Sequence, residues 1–162
     1  MKNEIDLVKI GLALAMLTLL FGIGMGMAFG VAEDSFKSYV AEGVAAHAEL
    51  HDGKSEGKIW RYAQRAHFHA MGIAAVSMGL ITLLLFSPLK AGLKRVTALL
   101  IGLGGFYPLS WLTMFILGPS IGRDAAHHHL ITKLFTLVGV GGLLAGTLIL
   151  IAGLLFGRPR EA

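Results

Sequence analysis

Two histidines one residue apart, His67 and His69, stand at the head of a charge-free apolar run from Ala66 to Leu89. Neutral imidazole ligates iron, copper, zinc or nickel and exchanges its proton near neutrality. An imidazole at the mouth of an apolar helix therefore asks for a reason. The chain holds five more histidines: His47, His51, His127, His128 and His129. His47 and His51 have the i, i+4 spacing at which two imidazoles on one helical face can chelate a metal. His127, His128 and His129 open the last apolar run. Any one of them reads most simply as a polar residue tolerated at an interface. The set, gathered at one end of the molecule, points to metal or haem ligation.

The elements that must position these side chains are membrane spans. Of 162 residues, 55% are hydrophobic and 15% charged, and the mean hydropathy is +0.71, a balance that favours an integral membrane protein. Charge-free stretches place spans at about 8–32, 66–87, 96–118 and 130–156, each long enough at about 1.5 Å per residue to cross roughly 30 Å of hydrocarbon. Ala28-Phe29-Gly30 resembles a cleavage site, but Glu4 and Asp6 in the leading segment favour a retained first helix. Between spans one and two, Phe36, Val40, Val44, His47 and His51 share a helical face. They predict an amphipathic helix over about 35–51, lying on the membrane surface or capping the bundle and ended by Asp52-Gly53. Trp60 and Tyr62 suit an interface. Pro108 predicts a kink in the third span. The expected architecture is all-α: a single membrane domain, a four-transmembrane-helix bundle with a short extracytoplasmic amphipathic helix.

The chain contains no cysteine, which removes thiolate metal sites and covalent haem attachment. The net charge of +4 comes from basic residues at the ends of apolar runs, where they set topology and meet anionic lipid. No basic stripe interleaved with aromatics suggests nucleic acid. Lys90, Lys94 and Arg95 in one tight turn without an acid place that turn in the cytoplasm. Both termini then lie inside, with Lys2, Lys9, Arg158 and Arg160 in agreement, and all seven histidines lie outside. A bacterial cytoplasmic membrane fits this pattern.

Helical phase adds detail. His69, Gly72, Val76, Gly79 and Leu83 share a face of the second span. His128, Thr132, Phe135, Gly139, Gly142 and Gly146 share one on the fourth. A histidine above a glycine-lined stripe is what a porphyrin lying between helices requires. His67 points about 200° away from His69 and would serve a second site with His47 or His51. The leading expectation is a b-type cytochrome subunit. One or two bis-histidine haems would carry electrons between the quinone pool and an extracytoplasmic redox partner, as part of a quinol-linked oxidoreductase. A non-haem copper, zinc, iron or nickel site built from His47, His51, His67, His69 and His128 is the alternative. A non-catalytic accessory subunit of a larger membrane complex is the third reading.

The run Ala66-His67-Phe68-His69-Ala70-Met71-Gly72 resembles the paired-histidine helix starts of haem–copper-oxidase-like membrane proteins, a group that includes small four-span members. The resemblance covers those seven residues and the histidines opening the fourth span. It implies haem or metal ligation by His67, His69 and the 127–129 cluster. The chain is far too short for the twelve spans of a full oxidase, and no copper-site helix is present, so only the ligand role is carried over.

Overall fold

The computed structural model describes residues 2–157, with side chains from Glu4 onward; Arg158 and Arg160 lie outside the described residues. Within them the chain is all-helical. The helices are α1 (Lys2–Ala46), α2 (Ser55–Phe86), α3 (Ala91–Gly102), α4 (Tyr107–Ile121), α5 (Arg123–His128) and α6 (Leu130–Phe156). A 3₁₀ turn, Leu103–Phe106, joins α3 to α4. Four helical segments, Glu4–Ala46, Ser55–Phe86, Ala91–Ile121 and Leu130–Phe156, are long and apolar enough to cross a membrane.

The α3–α4 segment is central. It packs against α1, α2 and α6, whereas α6 makes scant contact with α2. The reason is a choice of small side chains on the inward faces. Ile59, Ala63, Ala66, Ala70, Ala74, Ser77, Ile81 and Leu84 recur every three or four residues along α2 and are all buried. Gly11 of α1 sits directly on the backbone of Ala98, and a side chain on Gly102 would meet Gly11. Such backbone approaches replace the hydrophobic effect as the glue between helices in an apolar solvent. The same holds on α6, where Gly139, Gly142 and Gly146 lie against Tyr107, Leu100 and Ile101 of the central segment. Gly72 and Gly141 have open space around them. Gly139→Leu is therefore expected to lower the melting temperature of the detergent-solubilised protein by many degrees, while Gly141→Leu leaves it nearly unchanged. Thermal scans of the two variants side by side check this.

Two corrections to the expected elements follow. The amphipathic helix does not lie separately on a surface. It continues the first span as one helix, α1, with a single break in helical geometry at Ala32 (φ −140°, ψ 26°). Its apolar face is covered by protein: Val40 is buried with Ile59, Ala63 and Phe115, and Phe36 and Val44 pack against them. The helix stops at Ala46, so His47 and His51 leave it. Second, a 3₁₀ turn interrupts the third span before Pro108, and Pro108 lies in the first turn of α4, where its missing N–H costs nothing. Gly105 in that turn faces the Thr18 hydroxyl with no room for a side chain.

The two ends of the bundle differ. At the histidine end, Pro119 in the last turn of α4 presents its carbonyl to His51 Nε2–H (2.9 Å). The Tyr39 hydroxyl donates to the Ile116 carbonyl (2.6 Å). Gly122, at φ +81°, turns the chain from α4 into α5. At the opposite end, Lys94 is only 2% exposed and its Nζ donates to Glu4 Oε2 (2.7 Å) and the Leu85 carbonyl (2.7 Å). This lysine, expected to face lipid headgroups, is instead an internal cation with a carboxylate partner.

Asp52 starts α2. Its carboxylate accepts from the Ser55 hydroxyl (2.9 Å) and the Lys54 N–H (3.0 Å), and Ser55 Oγ accepts from the Asp52 N–H (3.0 Å). The Ser55 bond first, then the Lys54 amide, hold its carboxyl below the ordinary carboxylate range. A depressed acid adds stability above its unfolded value and loses it as pH falls through the folded one. The 47–54 turn should therefore resist proteolysis at neutral pH and loosen progressively as pH falls below the ordinary carboxylate range. Limited proteolysis across pH checks this, and Asp52→Asn should abolish the dependence.

Candidate functional site

Three aromatic rings and a cation converge below the histidine end. Arg65 and His69 are one turn apart on α2, and Tyr107 and Trp111 one turn apart on α4. The His69 imidazole stacks on the Trp111 indole (centroids 5.7 Å apart, planes at 16°) and meets Tyr107 edge-on (5.0 Å). The Arg65 guanidinium lies 4.7 Å from the centre of the same indole. Trp111 is thus packed against three side chains of α2: Arg65, His69 and Tyr62 (5.7 Å).

Two cavities follow one face of α6 and share Tyr107. The deeper one, about 390 Å³, is lined by His69, Ile73, Tyr107, Val140, Leu143 and Thr147, among others. The upper one, about 400 Å³, is lined by Ser110, Trp111, His127, His128, Lys133 and Thr136 among others. On α6 their lining residues, from Thr132 to Thr147, fall on one face. They exist because α6 leans on the central segment and leaves a gap toward α2. The Trp111 indole N–H is buried and has no acceptor among the described residues. A buried donor without a partner costs about 1–3 kcal/mol, so it marks a place where an acceptor belongs.

The remaining histidines are dispersed. His67 Nδ1–H donates to the Gly22 carbonyl (2.8 Å), and its ring lies over Gly26, beside Phe29 and Phe68. His51 is tied to Pro119, and its Nδ1 is buried without a partner. His47 is partly exposed beside Glu49 (4.0 Å). His128 Nδ1–H donates to the Asp124 carbonyl (3.0 Å) and lies edge-on to His127 (5.0 Å). His129 caps α6, its Nδ1 accepting from the Ile131 N–H (3.4 Å). Among the described residues no three His, Asp or Glu side chains gather as a metal-holding group.

The expected haem slot between glycine faces is not what the glycines form. On α2, Gly72 and Gly79 have no atoms near them, and Val76 and Leu83 are exposed. On α6, the glycines are closed by the backbone of the central segment. His128 is also out of phase with them, because His129 is extended (φ −60°, ψ 141°) and separates α5 from α6. The glycine face of α6 is thus filled by protein. His67 fits iron or another metal better, since an imidazole whose Nδ1–H is bonded to a carbonyl keeps its Nε2 lone pair for a ligand.

Sequence reasoning brought His69 to this site and missed Arg65, Tyr107, Trp111 and Lys133. The available signal was two facing i, i+4 pairs, cation–imidazole on one helix and Tyr–Trp on another. No protein-family model, curated protein or solved structure matches the chain.

Proposed function

We propose that this chain is a multi-pass protein of a bacterial cytoplasmic membrane, with its histidine end outside, that binds quinol for a larger redox assembly. The observation that carries this reading is His69, held flat on Trp111 and edge-on to Tyr107 at the wall of an apolar cavity of about 390 Å³. A quinol headgroup is a planar ring with two oxygens, and an isoprenoid tail needs an apolar trough. The cavity supplies a ring nitrogen beside aromatic rings, and Ile73, Val140, Leu143 and Leu144 supply the trough. Its depth is suitable. Exposed apolar side chains run from Phe68 to Phe86 on α2 and from Leu130 to Phe156 on α6, so His69 lies just within the upper edge of that band.

In this role His69 accepts one hydroxyl proton of the quinol and water at the histidine end takes the other, as two electrons leave to a redox centre in another subunit. Lysine and arginine near the opposite end, Lys9, Lys90 and Arg95, support the orientation. The turn holding Lys90, Lys94 and Arg95 is less basic than its sequence implies, because Lys94 is paired with Glu4.

A second reading keeps haem b or a transition metal, on the strength of the His67 Nδ1–H bond to Gly22. One preparation separates the two. Protein purified in mild detergent should yield quinone in an organic extract at near-stoichiometric amount and show no Soret band. A Soret band lost in His67→Ala favours haem instead. Stoichiometric metal in elemental analysis, again lost in His67→Ala, favours an ion.

A further inference from the structure

The upper cavity carries an inference that does not rest on quinol. Its mouth is cationic and lacks counter-charge. Lys133, one turn into α6, lines it and has no acidic partner among the described residues. Arg65 packs on the indole that forms its wall and likewise has no carboxylate against it. His127 and His128 line the same mouth, and the acid beside them, Asp124, is turned to His128 (3.4 Å). Ser110 and Thr132 also line the space, but their hydroxyls are spent on the carbonyls of Tyr107 and Ala126. Below them Met114 and Leu137 are apolar, and the same face of α6 continues downward to Leu144.

We infer that this cavity seats the headgroup of an anionic phospholipid from the outer leaflet. The charge pattern selects the occupant. Two permanent cations without carboxylates, Lys133 lining the cavity and Arg65 on the indole of its wall, call for an acceptor bearing negative charge. The apolar face running down α6 from the mouth calls for that acceptor to carry an acyl chain. The level agrees: Lys133 stands one turn below Leu130, at the upper end of the exposed apolar side chains on α6, where a lysine reaches the headgroups. A zwitterionic lipid offers the same phosphate with a cation attached, which the mouth repels.

The test is thermal unfolding of the purified full chain in nanodiscs of phosphatidylcholine, with phosphatidylglycerol of the same acyl chains added stepwise. Phosphatidylglycerol should raise the melting temperature of the wild type by several degrees, saturating at low mole fraction. Arg65→Gln/Lys133→Gln should lose the rise, measured from its own unfolding temperature in pure phosphatidylcholine. Lys133→Arg should keep it. An equal rise in the double variant overturns the proposal, as does a rise that grows linearly without saturation. Inorganic phosphate in phosphatidylcholine discs should have no effect. If phosphate alone reproduces the rise, the site holds a free anion and the lipid assignment falls. If the double variant already unfolds early in phosphatidylcholine, the proposal is read from lipid retained in native mass spectra of the single variants, where loss of the bound phosphatidylglycerol supports it and undiminished retention overturns it.

Discussion

His69→Leu should weaken the binding of a short-chain quinone to the purified protein by about tenfold to a hundredfold. The estimate follows from one hydrogen bond to a ring oxygen in an apolar cavity, about 1–3 kcal/mol, at 1.4 kcal/mol per factor of ten. Leucine keeps the volume, so α2 and α4 stay packed and the loss reports the imidazole. Phe68, one residue away, is 67% exposed and turned outward, so Phe68→Leu should bind as the wild type does. Isothermal titration in detergent distinguishes the two. Equal binding by His69→Leu and the wild type would remove His69 from the site.

Glu4→Gln should be the most destabilising polar substitution in the chain. Lys94 is 2% exposed, and its ammonium depends on Glu4 and the Leu85 carbonyl, each at 2.7 Å. Removing one partner of a buried ion pair strands the other charge, at a cost of about 3–5 kcal/mol. The lower end applies, because the Glu4 side chain is 39% exposed and water can partly replace it. Lys94→Met, which removes the buried charge altogether, should cost much less. The double variant Glu4→Gln/Lys94→Met should be close to Lys94→Met alone. Chemical unfolding of the three variants measures the ordering; an equal loss in both single variants would mean that packing, not the stranded charge, sets the stability.

Much of the helical layout was legible because charge-free runs and their flanking charges are long-range signals that tertiary contacts cannot erase. The spacing of Phe36, Val40 and Val44 correctly identified an apolar face, but amphipathicity does not say what covers it. A face that suits lipid headgroups also suits α2 and α4, and the latter won. The glycines misled in the same manner. Gly139, Gly142 and Gly146 mark a face without side chains, which a flat cofactor or a neighbouring backbone can equally fill; here it is the backbone of the central segment. His128 was placed in phase with them because no local signal announces that His129 is extended and restarts the helix. Trp111 was passed over because its importance lies in partners from another helix. Its buried N–H is a property of packing that no local pattern encodes.

The central claim is that a quinol ring sits between His69 and α6. Photolabelling tests it most directly: a photoreactive quinone in proteoliposomes, followed by peptide mapping of the attached label. The label is expected on peptides holding His69 to Ile73, Tyr107 to Trp111 and Gly139 to Thr147, and excess unmodified quinone should displace it. Label spread over the outward residues Phe68, Val76, Leu148 and Leu155, undiminished by competitor, would contradict the claim.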